Sequence, residues 1–335
     1  MTEFFGETYS YKQDIEKVKE ILAQQHFNVE PYREKTEVLI QNNGKMIRAL
    51  ITILFGRYTL TVNQKNYDQE TIFSIDQCAA AIELLHLATL VHDDVIDNAE
   101  KRRGLTTLQN FFGNKNTIYL GDILFTKYFY LLTSLAPSKE FIAYHSSAME
   151  KVLTGELIQD ALKFHKQTTL AEYYQAIKGK TATLFSLSAV SGVWLGKKNK
   201  QFDEDNLEFK NAFNFGYNLG MAFQMLDDLK DLNPLVKNGK PKFEDLKAGI
   251  YTLPIILALK DKSFQKILNK GESNPFIIEN YFIENPDYLK RCKDIIDHFL
   301  NEAQKALEFL IDSPESDQLN SLLTNLRLNL ENYSI

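Results

Sequence analysis

An all-α fold, built as one large antiparallel helical bundle, is what the sequence predicts, and three observations predict it. No proline falls between Pro31 and Pro137, and none again until Pro234. A helix interior rejects proline, so stretches this long without one belong to helices. Apolar residues recur at i, i+3, i+4 and i+7 through most of the chain, which is the spacing of one buried helix face. The strict apolar–polar alternation of a half-buried strand is absent. No break in composition marks a boundary, so residues 1–335 are expected to form a single domain.

The elements follow in order. Ile15, Val18, Ile21 and Leu22 begin a first amphipathic helix. Further helices are expected over roughly 35–60, 71–97, 116–134, 138–165, 170–196, 207–231, 252–260, 285–311 and 316–332, with ends good to a few residues. Lys197 to Asn206 is polar and reads as a loop. Gly271 to Pro286 carries two prolines and reads as an irregular insertion or short surface helices.

The 335 residues are 44% hydrophobic and 24% charged, an ordinary globular balance with room for a substantial core. A net charge of −6 argues against a nucleic-acid partner, since phosphate backbones reward basic surfaces. Cys78 and Cys292 lie far apart and form no disulfide framework or paired-cysteine metal site. Residues Met1 to Ser10 lack an apolar core behind basic residues, so no leader is expected. Charge interrupts the apolar runs before 18 residues, so no spanning helix is expected either, and a cytoplasmic protein follows.

The chemistry gathers on His86-Leu-Ala-Thr-Leu-Val-His92-Asp93-Asp94-Val-Ile-Asp97, followed by Lys101, Arg102, Arg103 and Gly104. Ile75 to Val91 reads as a buried helix, and three aspartates continue it at i, i+1 and i+4. Asp93 and Asp97 then project from one face, with Asp94 about 100° round from Asp93. Close carboxylates repel by about 4 kcal/mol per pair at an effective dielectric of 20. Oxygen ligands in this pattern suit Mg²⁺, which keeps some waters and shares its shell with substrate phosphates. One such cluster is more often a solvated helix end. A second one, Asp227-Asp228-Leu-Lys-Asp231 after Phe223-Gln224, repeats the same spacing at the end of another apolar helix. Two clusters facing each other would hold a metal-bridged diphosphate.

Other stretches supply cations and polar faces. Gly44-Lys45-Met46-Ile47-Arg48 puts two cations three apart, on one helical face suited to an anion. Gly155-Glu156-Leu-Ile-Gln159-Asp160 sets a polar face on a helix, ordinarily a solvated one. Lys180-Thr181-Ala182 interrupts an apolar helix, and a buried lysine requires an anion. His86 in an apolar helix is by itself most often a core residue with a satisfied hydrogen bond.

From about Gly44 to Pro254 these motifs together resemble the trans-isoprenyl diphosphate synthases, most closely the long-chain branch that makes quinone side chains. The resemblance implies a bundle of the isoprenoid synthase type with a central cavity. It implies Mg²⁺ on Asp93, Asp97, Asp227 and Asp231, with Asp94 among the catalytic carboxylates. Lys45, Arg48, His86 and Arg103 would bind isopentenyl diphosphate. Arg102, Lys180, Thr181 and Lys240 would bind the allylic diphosphate, and Gln224 would lie beside the growing chain. Glu156 and Gln159 would line the allylic pocket and help hold metal-bound water. Asp245-Leu-Lys-Ala-Gly249-Ile-Tyr-Thr252-Leu-Pro254 matches the next family element. Met46, Ala49 and Ile250 depart from the family's usual arginine, proline and lysine.

The product would grow along the helix before Asp93, about three residues of rise per isoprene unit. Ala88 and Thr89 stand where short-chain relatives carry aromatic plugs, and Ala81, two turns lower, is also small. An open shaft favours a long product. The resemblance further implies a homodimer, or a heterodimer with a small subunit, and peripheral membrane contact for product release. Alternatives are a large subunit inactive without a small partner, a geranylgeranyl or farnesyl synthase, and a terpene cyclase. The cyclase is disfavoured because its second motif usually reads Asn/Asp-Ser/Thr-Glu.

Overall fold

A computed structural model describes residues 11–25, 27–42, 44–63, 69–102, 104–197, 201–203, 205–232, 244–271 and 275–333. The described residues are almost wholly helical, as the spacing predicts. The chain's contacts cluster into two compact units. The first takes in residues to His145, Ser188–Ala212 and Asp312–Leu319; the second takes in Ser146–Leu187, Phe213–Ile311 and the rest from Asn320.

In the first unit, α1 (Lys12–Ala23), α3 (Ile47–Asn63) and α5 (Leu108–Leu135) pack around α4 (Gln69–Ile96). Almost every residue of α4 from Ile75 to Leu85 is buried, so its apolar run has no wet face. Among the described residues, α4 is the helix long and apolar enough to cross a membrane, and 78% of that stretch is buried inside the protein. It is a core helix. Asp76 and Glu83 interrupt its apolar run, as expected, and both are buried.

Two other expectations change here. The helix expected over about 35–60 is two helices, α2 (Tyr32–Gln41) and α3. Gly44 and Met46 both have positive φ, 75° and 51°, which no helix continues through. The helix expected from about 116 starts at Leu108 and kinks at Gly113, where φ is 75°. A two-residue hairpin, β1 (Lys101–Arg102) and β2 (Leu105–Thr106), pairs Lys101 with Thr106 and Arg102 with Leu105.

The second unit holds most of α6 (Lys139–Ala161), then α7 (Leu170–Ile177), a π-helical turn (Lys178–Ala182) and the start of α8 (Thr183–Gly196). It also holds most of α9 (Leu207–Leu232), α10 (Glu244–Lys247), α11 (Leu253–Ala258), α12 (Lys262–Gly271) and α13 (Pro275–Glu284). α14 (Asp287–Lys305) belongs there too, with most of α15 (Pro314–Glu331). The stretch read as an irregular insertion or short surface helices between Gly271 and Pro286 is mostly the short helix α13, whose Tyr281 and Phe282 pack on Phe264 of α12. α14 shows a clear helical stripe, burying Leu289, Cys292, Ile296, Leu300 and Ala303. Thr169 caps α7 with a reciprocal Thr169–Glu172 capping box. Cys78 and Cys292 are free and buried.

Candidate active site

The first aspartate cluster closes α4. Asp97 still donates its N–H to the Asp93 carbonyl at 2.8 Å, and Asn98, at φ 51°, ends the helix. Asp94 turns inward and is buried, and its Oδ1 accepts from Arg102 Nε at 2.6 Å. Burial pushes the Asp94 carboxyl above its ordinary range, against the pull of Arg102. Asp93 is half-buried and Asp97 exposed, so these two keep the outer face. The hairpin carries Arg102 back to the helix end. Arg103 lies outside the described residues.

His92 is tied to the scaffold. Its Nε2 meets the Ile118 carbonyl at 3.1 Å and Asp122 at 3.3 Å, and its ring packs on Phe125. His86 is half-buried on the same helix. Lys45 and Arg48 do not share one helical face, because the positive φ of Met46 separates them. Lys45 stands exposed in the turn and Arg48 half-buried in the first turn of α3. Met46 and Ala49, the departures from the family pattern, are both in the core. Glu83, 1% exposed, reaches across from α4 and accepts the Ala49 N–H at 3.1 Å. It satisfies a donor that the start of any helix leaves orphaned. A lone acid inside an apolar run was the signal for Glu83, and spacing alone gave it no partner.

The second cluster closes α9 with the same division. Asp227 is exposed, Asp231 half-buried and Asp228 buried. Asp228 accepts from Tyr173 Oη at 2.6 Å, Gln224 Nε2 at 3.1 Å and the Leu253 N–H at 3.2 Å. Burial pushes its carboxyl up to about 6 in spite of these three donors. Thr181 Oγ1 in turn donates to Gln224 Oε1 at 2.6 Å. Tyr173 carries no motif in the sequence, and only the fold reveals it.

Lys180 finds its anion within the protein. Its Nζ donates to Glu156 Oε2 at 3.0 Å and to Gln159 Oε1 at 2.8 Å. The helix expected over about 170–196 opens into the π turn at this point, a feature common at functional sites. Gly155 and Gly179 let α6 and the turn meet backbone to backbone: a Cβ on Gly155 would stand 2.4 Å from the Lys180 nitrogen. Asp245, half-buried, lies near Asp231, Asp228, Lys180 and Asp227, and burial pushes its carboxyl up to about 7. Lys180, Gln224, Asp228, Asp245 and Tyr173 line one small cavity, floored in part by Ile256. Lys240 lies outside the described residues.

The donor set fits a hard cation. In each cluster two carboxylates keep accessible surface, and the buried third is held by protein donors. Among the described residues no three His, Cys, Asp or Glu side chains converge as a ready cage. Mg²⁺ characteristically takes one or two carboxylates and completes its shell with water and substrate phosphate.

Of the chain-length candidates, Ala81 and Ala88 are packed with no accessible surface. Thr89 retains some, and its hydroxyl donates to the His86 carbonyl at 2.7 Å.

Known proteins match most of this chain. The family described as Polyprenyl synthetase matches residues 29–282. Solanesyl-diphosphate synthase 1, mitochondrial, of Oryza sativa subsp. japonica is 30% identical over 270 residues. That match covers 79% of this chain, which spans 60% of the rice protein's length. Heptaprenyl diphosphate synthase component 2 of Bacillus subtilis (strain 168) is 30% identical over 280 residues, 81% of this chain and 75% of that protein. Geranylgeranyl pyrophosphate synthase from Lactobacillus brevis ATCC 367 superposes with a TM-score of 0.83 at 29% identity, over 97% of this chain and 98% of that one. The fold is therefore the all-α bundle of the isoprenoid synthases. With a family match across most of its length, on both aspartate clusters, the chain belongs to the polyprenyl synthetase family and is a prenyltransferase.

Proposed function

We propose that this protein is a long-chain trans-polyprenyl diphosphate synthase. It adds isopentenyl diphosphate repeatedly, head to tail, to an allylic primer such as farnesyl or geranyl diphosphate, and its product serves quinone side-chain synthesis. The observation that carries the reading is the division of both clusters into an anchored middle aspartate and two outward ones.

Asp93 and Asp97 on α4, and Asp227 and Asp231 on α9, would hold Mg²⁺. Mg²⁺, when bound, neutralises the charge that gathers on the departing allylic diphosphate. Arg102 and Lys180 add cationic donors to that diphosphate, and the pairing of Arg102 with the buried Asp94 fixes the direction of its guanidinium. Thr181, bonded to Gln224, would touch the same diphosphate, with Gln224 beside the growing chain. Lys45, Arg48 and His86 hold isopentenyl diphosphate, whose double bond attacks the allylic carbon as the C–O bond breaks. The proton lost from the adduct passes to the released diphosphate, so no side-chain nucleophile is needed.

The length of the product is supported by the small, partly accessible Thr89 and by relatives named for solanesyl and heptaprenyl products. A cytoplasmic homodimer with peripheral membrane contact for product release completes the reading. A relative named as a component favours one alternative, a catalytic subunit that needs a second chain.

The test is a product assay of the purified chain with farnesyl diphosphate, labelled isopentenyl diphosphate and Mg²⁺. A single long prenyl diphosphate is expected. Extension that stops after one or two units would overturn the long-chain reading. No extension, with Mg²⁺ and diphosphate still bound, would favour the component reading.

A further inference from the structure

Asp228 joins three elements of the second unit. Tyr173 comes from α7, Gln224 from α9 and the Leu253 amide from the start of α11, and all three donate to this one carboxylate. Tyr173 and Asp228 are both more than nine-tenths buried, so water does not compete for these bonds. A second rung runs parallel to the first. Thr181, eight residues after Tyr173, donates to Gln224, which is itself tied to Asp228 one helical turn on. The segment that carries Lys180 is thus fastened twice to the helix that carries Asp227 and Asp231.

We propose that Tyr173 is a positioning residue: through Asp228 it fixes the second aspartate cluster relative to the Lys180–Thr181 turn. Asp228 then serves as the anchor of the cluster, not as a metal ligand. Its four lone-pair directions are largely taken by three protein donors, and its flanking partners Asp227 and Asp231 keep the outer face. The inference rests on the prenyltransferase reading and adds a residue to it. Groups that orient metal ligands typically change metal affinity by about 10- to 100-fold when removed, and the same range is expected here.

The experiment compares the unsubstituted chain with Tyr173→Phe, Asp228→Asn and the double variant. Magnesium-dependent binding of inorganic pyrophosphate is followed by calorimetry, and steady-state kinetics are measured alongside. Tyr173→Phe keeps the ring and removes only the donor. It should raise the Mg²⁺ concentration for half-maximal pyrophosphate binding about tenfold and lower kcat, with KM for isopentenyl diphosphate unchanged. In the Asp228→Asn background, Tyr173→Phe should add no further shift, because the two act through one bond. Superimposable magnesium curves for Tyr173→Phe and the unsubstituted chain would overturn the proposal. So would additive effects in the double variant, or an equal rise in KM for both substrates. If the unsubstituted chain itself binds no pyrophosphate with Mg²⁺, the functional reading falls first and takes this inference with it.

Discussion

At the scale of single residues, burial separates carboxylates that spacing leaves alike. Asp93, Asp94 and Asp97 stand at i, i+1 and i+4, yet of the three Asp94 is the enclosed one, held by Arg102. If Asp93 carries metal, Asp93→Ala removes a ligand from the accessible face and leaves the core untouched. Turnover should fall by at least about 100-fold, with the far-ultraviolet circular dichroism unchanged; near-normal turnover would remove the metal assignment. A second buried group makes a different prediction. His145, fully enclosed, meets Tyr128 Oη at its Nδ1 and Ser191 Oγ at its Nε2, each at 2.9 Å. Burial lowers its pKa to about 3, so the folded protein keeps it neutral where the unfolded chain would protonate it. Between the ordinary histidine value near 6.5 and about 3, the unfolded state binds the extra proton. Stability is therefore complete above pH 6.5 and lost as pH falls, at up to about 1.4 kcal/mol per pH unit. His145→Gln should flatten that acid-side slope in denaturant titrations between pH 4 and 7, and an unchanged slope would contradict the burial argument.

At the scale of elements, the π turn does what a regular helix could not. The extra residue in its ring lets Lys180 reach Glu156 and Gln159 while Thr181 reaches Gln224. α6 must lie against it at backbone distance, and Gly155 and Gly179 permit that. Gly155→Ala would drive a methyl group to 2.4 Å from the Lys180 nitrogen. The expected cost is about 1–3 kcal/mol of stability, read by thermal or denaturant unfolding. Activity should drop with it, because Lys180 and Thr181 move with the turn. Full activity at reduced stability would show that the turn tolerates displacement. Helices such as α4, α9 and α14 were legible because their apolar period is long and uninterrupted. The breaks at residues 44–46 and 178–182 were not. Met46 and Ile47 continue the apolar pattern across the first, and Thr181 and Ala182 suit a helix as well as a π turn. Backbone strain at Met46 leaves no trace in hydrophobicity. Both aspartate clusters were visible from spacing, whereas Tyr173 and Glu83 were not paired with anything, since their partners come from other elements.

At the scale of the whole molecule, the remaining question is what sets product length, and α4 frames it. Ala88 and Ala81 have no surface in the folded chain, whereas Thr89, one residue on from Ala88, keeps some. His86 and Asp93, three before and four after Thr89, are also partly accessible, so the open side of this helix is theirs. A chain that elongates from the first aspartates along α4 then passes Thr89, and a bulky side chain there obstructs it with little repacking. At Ala88 the same side chain enters a filled core, where overpacking costs about 1–3 kcal/mol. Thr89→Phe should therefore shorten the principal product by several isoprene units with near-normal stability. Ala88→Phe should lower the unfolding midpoint, whatever it does to length. Both are read by chromatography of dephosphorylated products beside a denaturant titration. Shortening by Ala88→Phe alone, with stability intact, would place the growing chain on the Ala88 side and show that the helix yields there during elongation. An unchanged product from both variants would remove α4 as the wall that measures the chain.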